Sequence, residues 1–340
     1  MQQSNFFVAE HVPAPAKSEL PLEVKVRSAI DNLKRLLLDG YIFTCAVSFG
    51  KDSSVCLALA LRAMQELIME GHKPSTLHVM NSNTGVENPV IDHYTRGEIN
   101  SLIDFCANSS PKNPTHHSIL PVKFWQATPN LSNNYLVNII GGRVLFTFPD
   151  TDRKCQQMMK ANPLAKTKRL IRAAIFEEHG ESLPDYKLLT LIGTRFDESA
   201  VRNRNMTARG ENSTDPVLVT KGGESNWTLS PIAEFTTMDV FEFIGNVRSG
   251  RFKTYSDFEQ LVQVYRDAEG GECMVNIFAS GTGSGKTSCQ QRFGCWTCLA
   301  VHEDKSMSNM LDKSEGKFDW MRGLNDIRNW AQAFHYDWSS

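Results

Sequence analysis

Two spacings of hydrophobic residues alternate along the chain. Apolar residues recur at the helical period in one set of segments, which predicts helices over 22–39, 53–71, 88–106 and 237–247. Short apolar runs lie between them and predict strands at YIFTCAVSF (41–49), STLHVMNS (75–82) and YKLLTLIG (186–193). Strands that alternate with helices predict an α/β fold with a doubly wound, mostly parallel sheet. Ligands of such folds bind beyond the carboxyl ends of the strands.

Polar stretches suggest how the chain is divided. Residues 205–226 and 265–290 are long and polar, and we expect loops or lids there. We expect a flexible lead-in at 1–21, one large α/β domain at 22–260, and a cysteine-bearing region with terminal helices at 261–340.

Composition narrows the class of protein. Of 340 residues, 41% are hydrophobic and 22% are charged, which is ordinary for a globular protein. No apolar stretch approaches the length of a membrane span, and the N-terminus lacks the pattern of a secretory signal, so we expect a cytoplasmic protein with no membrane contact. The net charge of −2 requires any DNA contact to come from a local basic patch or a partner.

A candidate phosphate-binding loop joins the first predicted strand to the next helix. Backbone N–H groups at a helix start are unsatisfied and favour an anion. A glycine lets the backbone approach a phosphate, a lysine adds positive charge, and serines add hydroxyl donors. The alternative is a simple strand–turn–helix with a polar cap. The residues of this loop are Ser48, Phe49, Gly50, Lys51, Asp52, Ser53 and Ser54.

A second stretch, GTGSGKTS at 281–288, only imitates a phosphate loop. The G-x-x-x-x-G-K-[ST] pattern needs a glycine where this chain has Ser280, and no helix opening follows. We therefore interpret it as a flexible loop that lets distant cysteines meet.

Four cysteines in the C-terminal region have the spacing C-x15-C-x5-C-x2-C. Four thiolates hold either an iron–sulfur cluster or zinc. Zinc ribbons usually have two C-x-x-C pairs and this chain has one, so we predict a [4Fe–4S] cluster, with zinc or reduced structural thiols as the alternatives. The predicted ligands are Cys273, Cys289, Cys295 and Cys298.

Residues 153–172 form a local basic stretch with a cysteine near its start. Seven residues are Lys or Arg and none is acidic, so the stretch is able to bind phosphates of DNA or of a nucleotide, or else forms a solvated helix face. Three interpretations of Cys155 stay open: a persulfide carrier, an extra cluster ligand, or a cysteine without a chemical role.

Several stretches, in order, resemble the ATP pyrophosphatase and PAPS-reductase superfamily. SFGKDS at 48–53 is similar to the loop that grips pyrophosphate when ATP is cleaved between its α and β phosphates. Residues 81–85 lie where the family has D-T-G, residues 193–202 match G-x-R-x-x-E-S-x-x-R, and residues 230–240 match P-I-x-x-W-T-x-x-D-V. This chain departs from the family with asparagines at 81 and 83 and with Phe235 in place of tryptophan.

The amino-acid sequence around the C-terminal cysteines resembles that of the DNA phosphorothioation sulfurtransferases, the DndC-like and shorter SspD-like proteins. Together the resemblances cover roughly residues 40 to 310. They imply an adenine nucleotide alpha hydrolase-like fold that uses ATP and Mg²⁺, with catalytic residues Lys51, Asp52, Cys155 and Arg195. Besides the loop, the implied nucleotide contacts are Asn81, Gly85, Gly193, Arg195 and Arg202. We expect the two arginines to clamp a phosphate or sulfonate, rather than to be surface charges, and Glu198 to orient Arg195.

The function implied is activation of a DNA backbone phosphate by adenylation, followed by sulfur insertion. The implied partners are DNA, a cysteine desulfurase as sulfur donor, and other phosphorothioation subunits. The alternatives are a PAPS or APS sulfonucleotide reductase, a tRNA thiolase, and a non-catalytic iron–sulfur DNA-binding subunit that senses ATP. Sulfonucleotide reductases share a cysteine nucleophile near the C-terminus. Residues 299–340 of this chain contain no cysteine, which counts against that alternative.

Overall fold

A computed structural model describes residues 20–108, 120–148, 154–180, 184, 187–221, 224–269 and 293–336. The strands within these ranges are β1 Ile42–Ala46, β2 Leu77–Ser82, β3 Val122–Ala127, β4 Leu188–Ile192, β5 Val217–Lys221 and β6 Glu224–Leu229. The helices are α1 Leu22–Leu38, α2 Lys51–Met69, α3 Pro89–Asn108, α4 Tyr135–Ile140, α5 Lys154–Gln156, α6 Asn162–His179, α7 Ala200–Ala208, α8 Thr237–Arg248, α9 Glu259–Glu269, α10 Lys305–Lys313 and α11 Arg322–Tyr336. A π-helical turn, Gln157–Ala161, joins α5 to α6.

The six strands form one mostly parallel sheet in the order β3-β2-β1-β4-β6-β5. Strand β1 lies at its centre, with Cys45 paired to Val79 on one side and to Leu191 on the other. Only the pair β5–β6 is antiparallel among the described strands. The predicted α/β fold with a doubly wound, mostly parallel sheet is therefore confirmed.

Both faces of the sheet are covered, because successive residues of a strand point to opposite faces. Phe43 and Cys45 of β1 belong to the main apolar core, which includes α1, α2, α8 and α9. Ile42 packs on the opposite side in a smaller cluster with Ile171 and Ile175 of α6. This alternation buries β1 on both sides and fixes the sheet between two helical layers.

Helix α2 is the central helix of the larger layer. It is apolar on most sides, and the residues from Val55 to Leu61 are all within 1% of complete burial. Helices α1 and α8 both contact it. A buried ion pair, Lys25 Nζ to Asp239 Oδ2 at 2.6 Å, joins α1 to the first turn of α8. Its carboxylate also accepts the N–H of Thr236 at 2.7 Å, which completes the cap of α8.

Two sequence expectations need correction or stay open. The predicted loop at 205–226 is wrong, because β5 and the first residues of β6 lie within it. Of the predicted loop at 265–290, α9 takes the part to Glu269, and 270–290 lie outside the described residues. The proposed division after residue 260 falls inside α9 and stays a prediction.

Within the described residues, no helix combines the length and the apolarity that crossing a bilayer requires.

Candidate nucleotide-binding site

The loop at 48–54 lies at the carboxyl end of β1 and opens α2. Gly50 is the N-cap of this 19-residue helix. No side chain caps it; instead Ser53 Oγ donates to the Gly50 carbonyl at 3.0 Å and accepts the N–H of Ser48 at 3.3 Å. The first amides of α2 therefore face a cavity at the positive end of the helix dipole, which is the arrangement that binds phosphate.

Phe49 gives the loop its shape. Its φ of 57° lies in the left-handed region, which is uncommon for a bulky residue and costs free energy. The side chain is completely buried, and the Tyr94 hydroxyl donates to its carbonyl at 2.9 Å. Burial of the ring and this hydrogen bond hold the strained turn that brings Gly50 to the helix start.

Gly193, directly after β4, lies against the same loop. A Cβ at this position would be 2.7 Å from the carbonyl carbon and oxygen of Asp52 and from Cα of Ser53. Atoms do not approach that closely, so only glycine lets the end of β4 pack on the first turn of α2. Gly193 therefore sets the floor of the site.

Asp52 and Arg195 form the main ion pair of the site. Arg195 Nε donates to Asp52 Oδ1 at 2.7 Å, and Lys51 Nζ lies 3.2 Å from Asp52 Oδ2. Arg195 is 1% exposed, and its Nη1 also donates to the carbonyl of Phe235 at 3.3 Å. The alternative that Arg195 is a surface charge is wrong; its guanidinium ties the loop at 48–54 to the segment before α8.

The expectation that Glu198 orients Arg195 is also wrong. Glu198 Oε2 lies 3.1 Å from Nε of Arg202, four residues later. Ser199 caps α7, which places Arg202 in the first turn of that helix, over Glu198. The half-exposed guanidinium of Arg202 lies at the wall of the cavity.

A cavity of about 1000 Å³ opens above these residues. The predicted nucleotide contacts that line it are Ser48, Phe49, Gly50, Lys51, Asp52, Ser53, Asn81, Gly193, Arg195 and Arg202. Ser54 is fully buried and Gly85 is exposed, and neither lines the cavity. Most of the residues predicted from the sequence thus line one cavity. Binding of a nucleotide there stays a prediction.

Asn81 has a structural role that the sequence did not reveal. It is 3% exposed, and its Nδ2 donates to the carbonyl of Val47 at 2.9 Å. The amide therefore joins the ends of β1 and β2 and supports the entry to the loop. An aspartate there would place an acceptor against an acceptor, which explains why asparagine fits this position.

Two cavity residues stand out among those not assigned to the site from the sequence. Lys160, in the π-helical turn, is the member of the basic stretch that lines the cavity; by contrast, Lys168 donates to Asn226 of β6 at 2.7 Å. Tyr265 of α9 lies beneath the ammonium of Lys51, 5.7 Å from ring centroid to Nζ. Helical spacing in the sequence does not predict that Lys160 lines the cavity, because this residue lies in a π-helical turn.

The cysteine region meets the α/β domain beside this cavity. Trp296 N–H donates to the carbonyl of Val86 at 3.0 Å, just after β2. Phe293, which lines the cavity, packs edge-on against Tyr265 with centroids 5.3 Å apart. Cys155 and Cys295 both pack against the small apolar cluster that contains Val86 and Tyr135. The structure thus brings two of the predicted cysteines into one neighbourhood.

Two of the predicted metal ligands, Cys273 and Cys289, lie outside the described residues. Cys295 and Cys298 are half-buried in a turn closed by the Cys298 N–H to the Cys295 carbonyl at 2.9 Å. Burial is the main cause that raises the pKa of Cys295 to about 11; Lys160 acts against this shift, and the Glu87 carboxylate adds to it. A metal bound to Cys295 would require its thiolate form, which this raised pKa disfavours when no metal is bound. The described residues alone contain no group of three ligands for one.

The remaining cysteines lie in the apolar interior. Cys45 and Cys56 are fully buried in the main core, and Cys106 is buried at the end of α3. Burial raises the pKa of Cys106 to about 12, so it stays a neutral thiol.

Comparison with known families places this geometry. The sequence profile of the phosphoadenosine phosphosulfate reductase domain matches residues 42–249, which is more than half of the chain. The chain belongs to this family. The match begins with β1 and ends just after α8. The cavity residues from Ser48 to Thr237 therefore lie within the family's domain, and Cys295 and Cys298 lie beyond it. A comparison with curated protein sequences finds no match.

Solved structures give distant similarities. The FMN adenylyltransferase of Candida glabrata, with FAD and inorganic pyrophosphate, is 10% identical over 68% of this chain, with a TM-score of 0.35. The NAD⁺ synthetase of Burkholderia pseudomallei is 13% identical over 77% of this chain and 92% of its own, at a TM-score of 0.36. The PAPS reductase of Candida auris is 10% identical over 72% of this chain and 98% of its own, at 0.34. The chain spans 60% of the length of the adenylyltransferase.

Proposed function

We propose that this protein is an ATP pyrophosphatase that adenylates a DNA backbone phosphate so that sulfur can be inserted. The observation that carries the first half is the open N-terminus of α2 in a large cavity with Lys51, Lys160 and Arg202 on its walls. A chain of phosphates fits this set of amides and cations. The resemblance of the cysteine segment to the phosphorothioation sulfurtransferases supports the second half.

In the first step, a non-bridging oxygen of the DNA phosphate attacks the α-phosphorus of ATP. A bond forms between them, the bond from the α-phosphorus to the oxygen that bridges to the β-phosphate breaks, and pyrophosphate leaves. Lys51 and the amides of α2 stabilise the charge that develops on pyrophosphate. A DNA phosphate is a weak nucleophile, so alignment of the two phosphates must supply much of the rate. Arg202 and Lys160 lie where they can hold the second phosphate.

In the second step, the terminal sulfur of a persulfide attacks the adenylated DNA phosphorus, and AMP departs with the oxygen that had been activated. A second thiol then attacks the carrier sulfur, forms a disulfide with it, and leaves the phosphorothioate on DNA. A cysteine desulfurase would supply the persulfide sulfur. Cys155, half-buried beside the apolar cluster that also contacts Cys295, is our candidate carrier.

The cofactors of this proposal are Mg²⁺ and a [4Fe–4S] cluster. Cys295 and Cys298 would supply two of the four cluster ligands, and Cys273 and Cys289 would complete the set. When bound, the cluster would supply a rigid anchor for the cysteine segment or a route for electrons. Zinc is the alternative metal.

A sulfonucleotide reductase is the second candidate, because the matching family is described as a PAPS reductase domain. Sulfonate and phosphate present similar oxygens to Arg202 and Lys160, so the cavity serves both chemistries. The two functions differ in product, since a reductase releases sulfite and leaves DNA unchanged.

The test supplies the anaerobically purified protein with duplex DNA, ATP, Mg²⁺, cysteine, a cysteine desulfurase and a thiol reductant, followed by mass spectrometry of the digested DNA. We expect phosphorothioate linkages from the wild type and from Lys73→Ala, a control at an exposed lysine outside the cavity. Lys51→Ala is expected to lose them. A parallel reaction contains PAPS in place of ATP; sulfite production there, with no sulfur in DNA from either reaction, would instead establish the reductase.

A further inference from the structure

Five carboxylates line the nucleotide cavity, and one of them differs from the rest. Four have partners among the described residues. Those pairs are Asp52 with Arg195 at 2.7 Å, Asp92 with Arg96 at 2.7 Å, Glu198 with Arg202 at 3.1 Å, and Asp197, which accepts from Thr237 at 2.9 Å. The fifth is Glu87, for which no basic partner occurs in the part of the chain that the structure describes.

Glu87 is held in place on one side only. Its Oε1 accepts the N–H of Thr84 at 2.8 Å, in the turn that follows β2 at the carboxyl edge of the sheet. Its Oε2 is screened from solvent and has no hydrogen-bond partner among the described atoms. A shielded carboxylate oxygen without a partner is costly, and a cation offsets that cost.

We propose that Glu87 is the protein ligand of the divalent cation that accompanies the nucleotide phosphates in this cavity. This inference rests on the proposed use of ATP. Mg²⁺ prefers oxygen ligands, keeps several waters, and is usually bound by one or two carboxylates together with substrate phosphates. A single fixed carboxylate therefore suffices, and the described residues indeed contain no group of three ligands that would hold a metal without the substrate.

The neighbouring residues favour Glu87 over the positions where the family pattern has an aspartate. Asn81 already donates its amide to Val47, and Asn83 donates to Asp92 at 3.3 Å. An amide oxygen is neutral, so it is a weaker ligand for Mg²⁺ than the carboxylate of Glu87. The competing partner for Glu87 is Lys160. It lines the same cavity and, like Glu87, is close enough to the Cys295 thiol to shift its pKa.

The test measures binding of the non-hydrolysable analogue α,β-methylene ATP by calorimetry, once with Mg²⁺ and once with EDTA. The proteins are the wild type, Glu87→Gln, and Asp92→Asn as a matched control that removes a paired carboxylate from the same cavity. Glutamine keeps an oxygen for the Thr84 N–H, so the fold of the turn is retained. Electron paramagnetic resonance of Mn²⁺ with the analogue reports the metal itself, independently of turnover.

We expect Mg²⁺ to tighten binding to the wild type and to Asp92→Asn by roughly 10-fold or more, and to Glu87→Gln by less than about 2-fold. The Mn²⁺ signal of the ternary complex should weaken with Glu87→Gln alone. An equal gain in affinity from Mg²⁺ in all three proteins overturns this inference but does not contradict the proposed use of ATP. That result would indicate that Glu87 pairs with Lys160. Absence of analogue binding to the wild type in both buffers overturns the proposed function as well.

Discussion

Gly193→Ala tests whether close packing of β4 on the phosphate loop shapes the site. The added Cβ would lie 2.7 Å from three backbone atoms of Asp52 and Ser53, whereas ordinary contacts begin at 3.4 Å. The first turn of α2 must therefore move by about 0.7 Å, the difference between those two distances. Its neighbours are backbone atoms of a buried helix, so no flexible side chain can absorb the shift.

The expected cost has two parts. Overpacking in a close-packed interior costs about 1–3 kcal/mol of unfolding free energy. A displacement of the helix amides approaching 1 Å at a reacting centre costs up to about 100-fold in rate, and we expect ATP turnover to fall by roughly 10- to 100-fold. The loss of turnover should thus exceed what the loss of stability explains at 25 °C, where most molecules stay folded.

Urea unfolding gives the first quantity, and steady-state ATP cleavage gives the second. Gly245→Ala is the control, because Gly245 lies on an exposed face of α8 with nothing within 4 Å of an added Cβ. That variant should be more stable by about 0.5–1 kcal/mol, with unchanged turnover. If Gly193→Ala behaved like Gly245→Ala, the packing that we assign to Gly193 would be refuted.

Three further predictions address the ion pair, a buried acid and the cysteines. Arg195→Met leaves the Asp52 carboxylate with Lys51 alone and should destabilise the protein by about 3 kcal/mol in urea unfolding, whereas adding Asp52→Asn should restore part of this; simple additivity would contradict the pairing. Burial raises the pKa of Glu98 from 4.5 to about 7, so its contribution to stability is complete below pH 4.5 and is lost as the pH rises through 7. Glu98→Gln should remove up to roughly 3 kcal/mol of that pH dependence in unfolding measured from pH 4.5 to 8, and an unchanged slope would refute the assignment. Cys295→Ser should abolish bound iron or zinc in metal analysis, whereas Cys106→Ser should retain it; equal metal content in both would exclude Cys295 as a ligand.

The sequence allowed prediction of those parts of the site that lie close together in the chain. A short apolar run ends at Gly50 and a helix-length run follows it, which predicted β1, the loop and α2 without any tertiary information. The role of Gly193 was not visible, because its constraint comes from backbone atoms about 140 residues away. The same holds for Asn81, whose amide is fixed by Val47 of another strand end.

One prediction was wrong because residues that are close in sequence are not partners in the structure. Glu198 follows Arg195 closely in sequence, but the i,i+4 geometry at the start of α7 gives it to Arg202. The polar composition of 205–226 predicts a loop, whereas β5 and the first residues of β6 pair there as an antiparallel edge of the sheet. The dipeptide Gly222-Gly223 between alternating residues was the signal that would have predicted this hairpin.

The central claim is that the loop at 48–54 binds the phosphates of ATP for cleavage between the α and β positions. The most direct test gives the anaerobically purified protein α-labelled ATP and Mg²⁺, and separates the labelled products with and without duplex DNA. We predict AMP together with pyrophosphate, in amounts that rise when DNA is present. Formation of ADP and phosphate would contradict the claim and assign ATP to the GTGSGKTS stretch, and no turnover under either condition would contradict it as well.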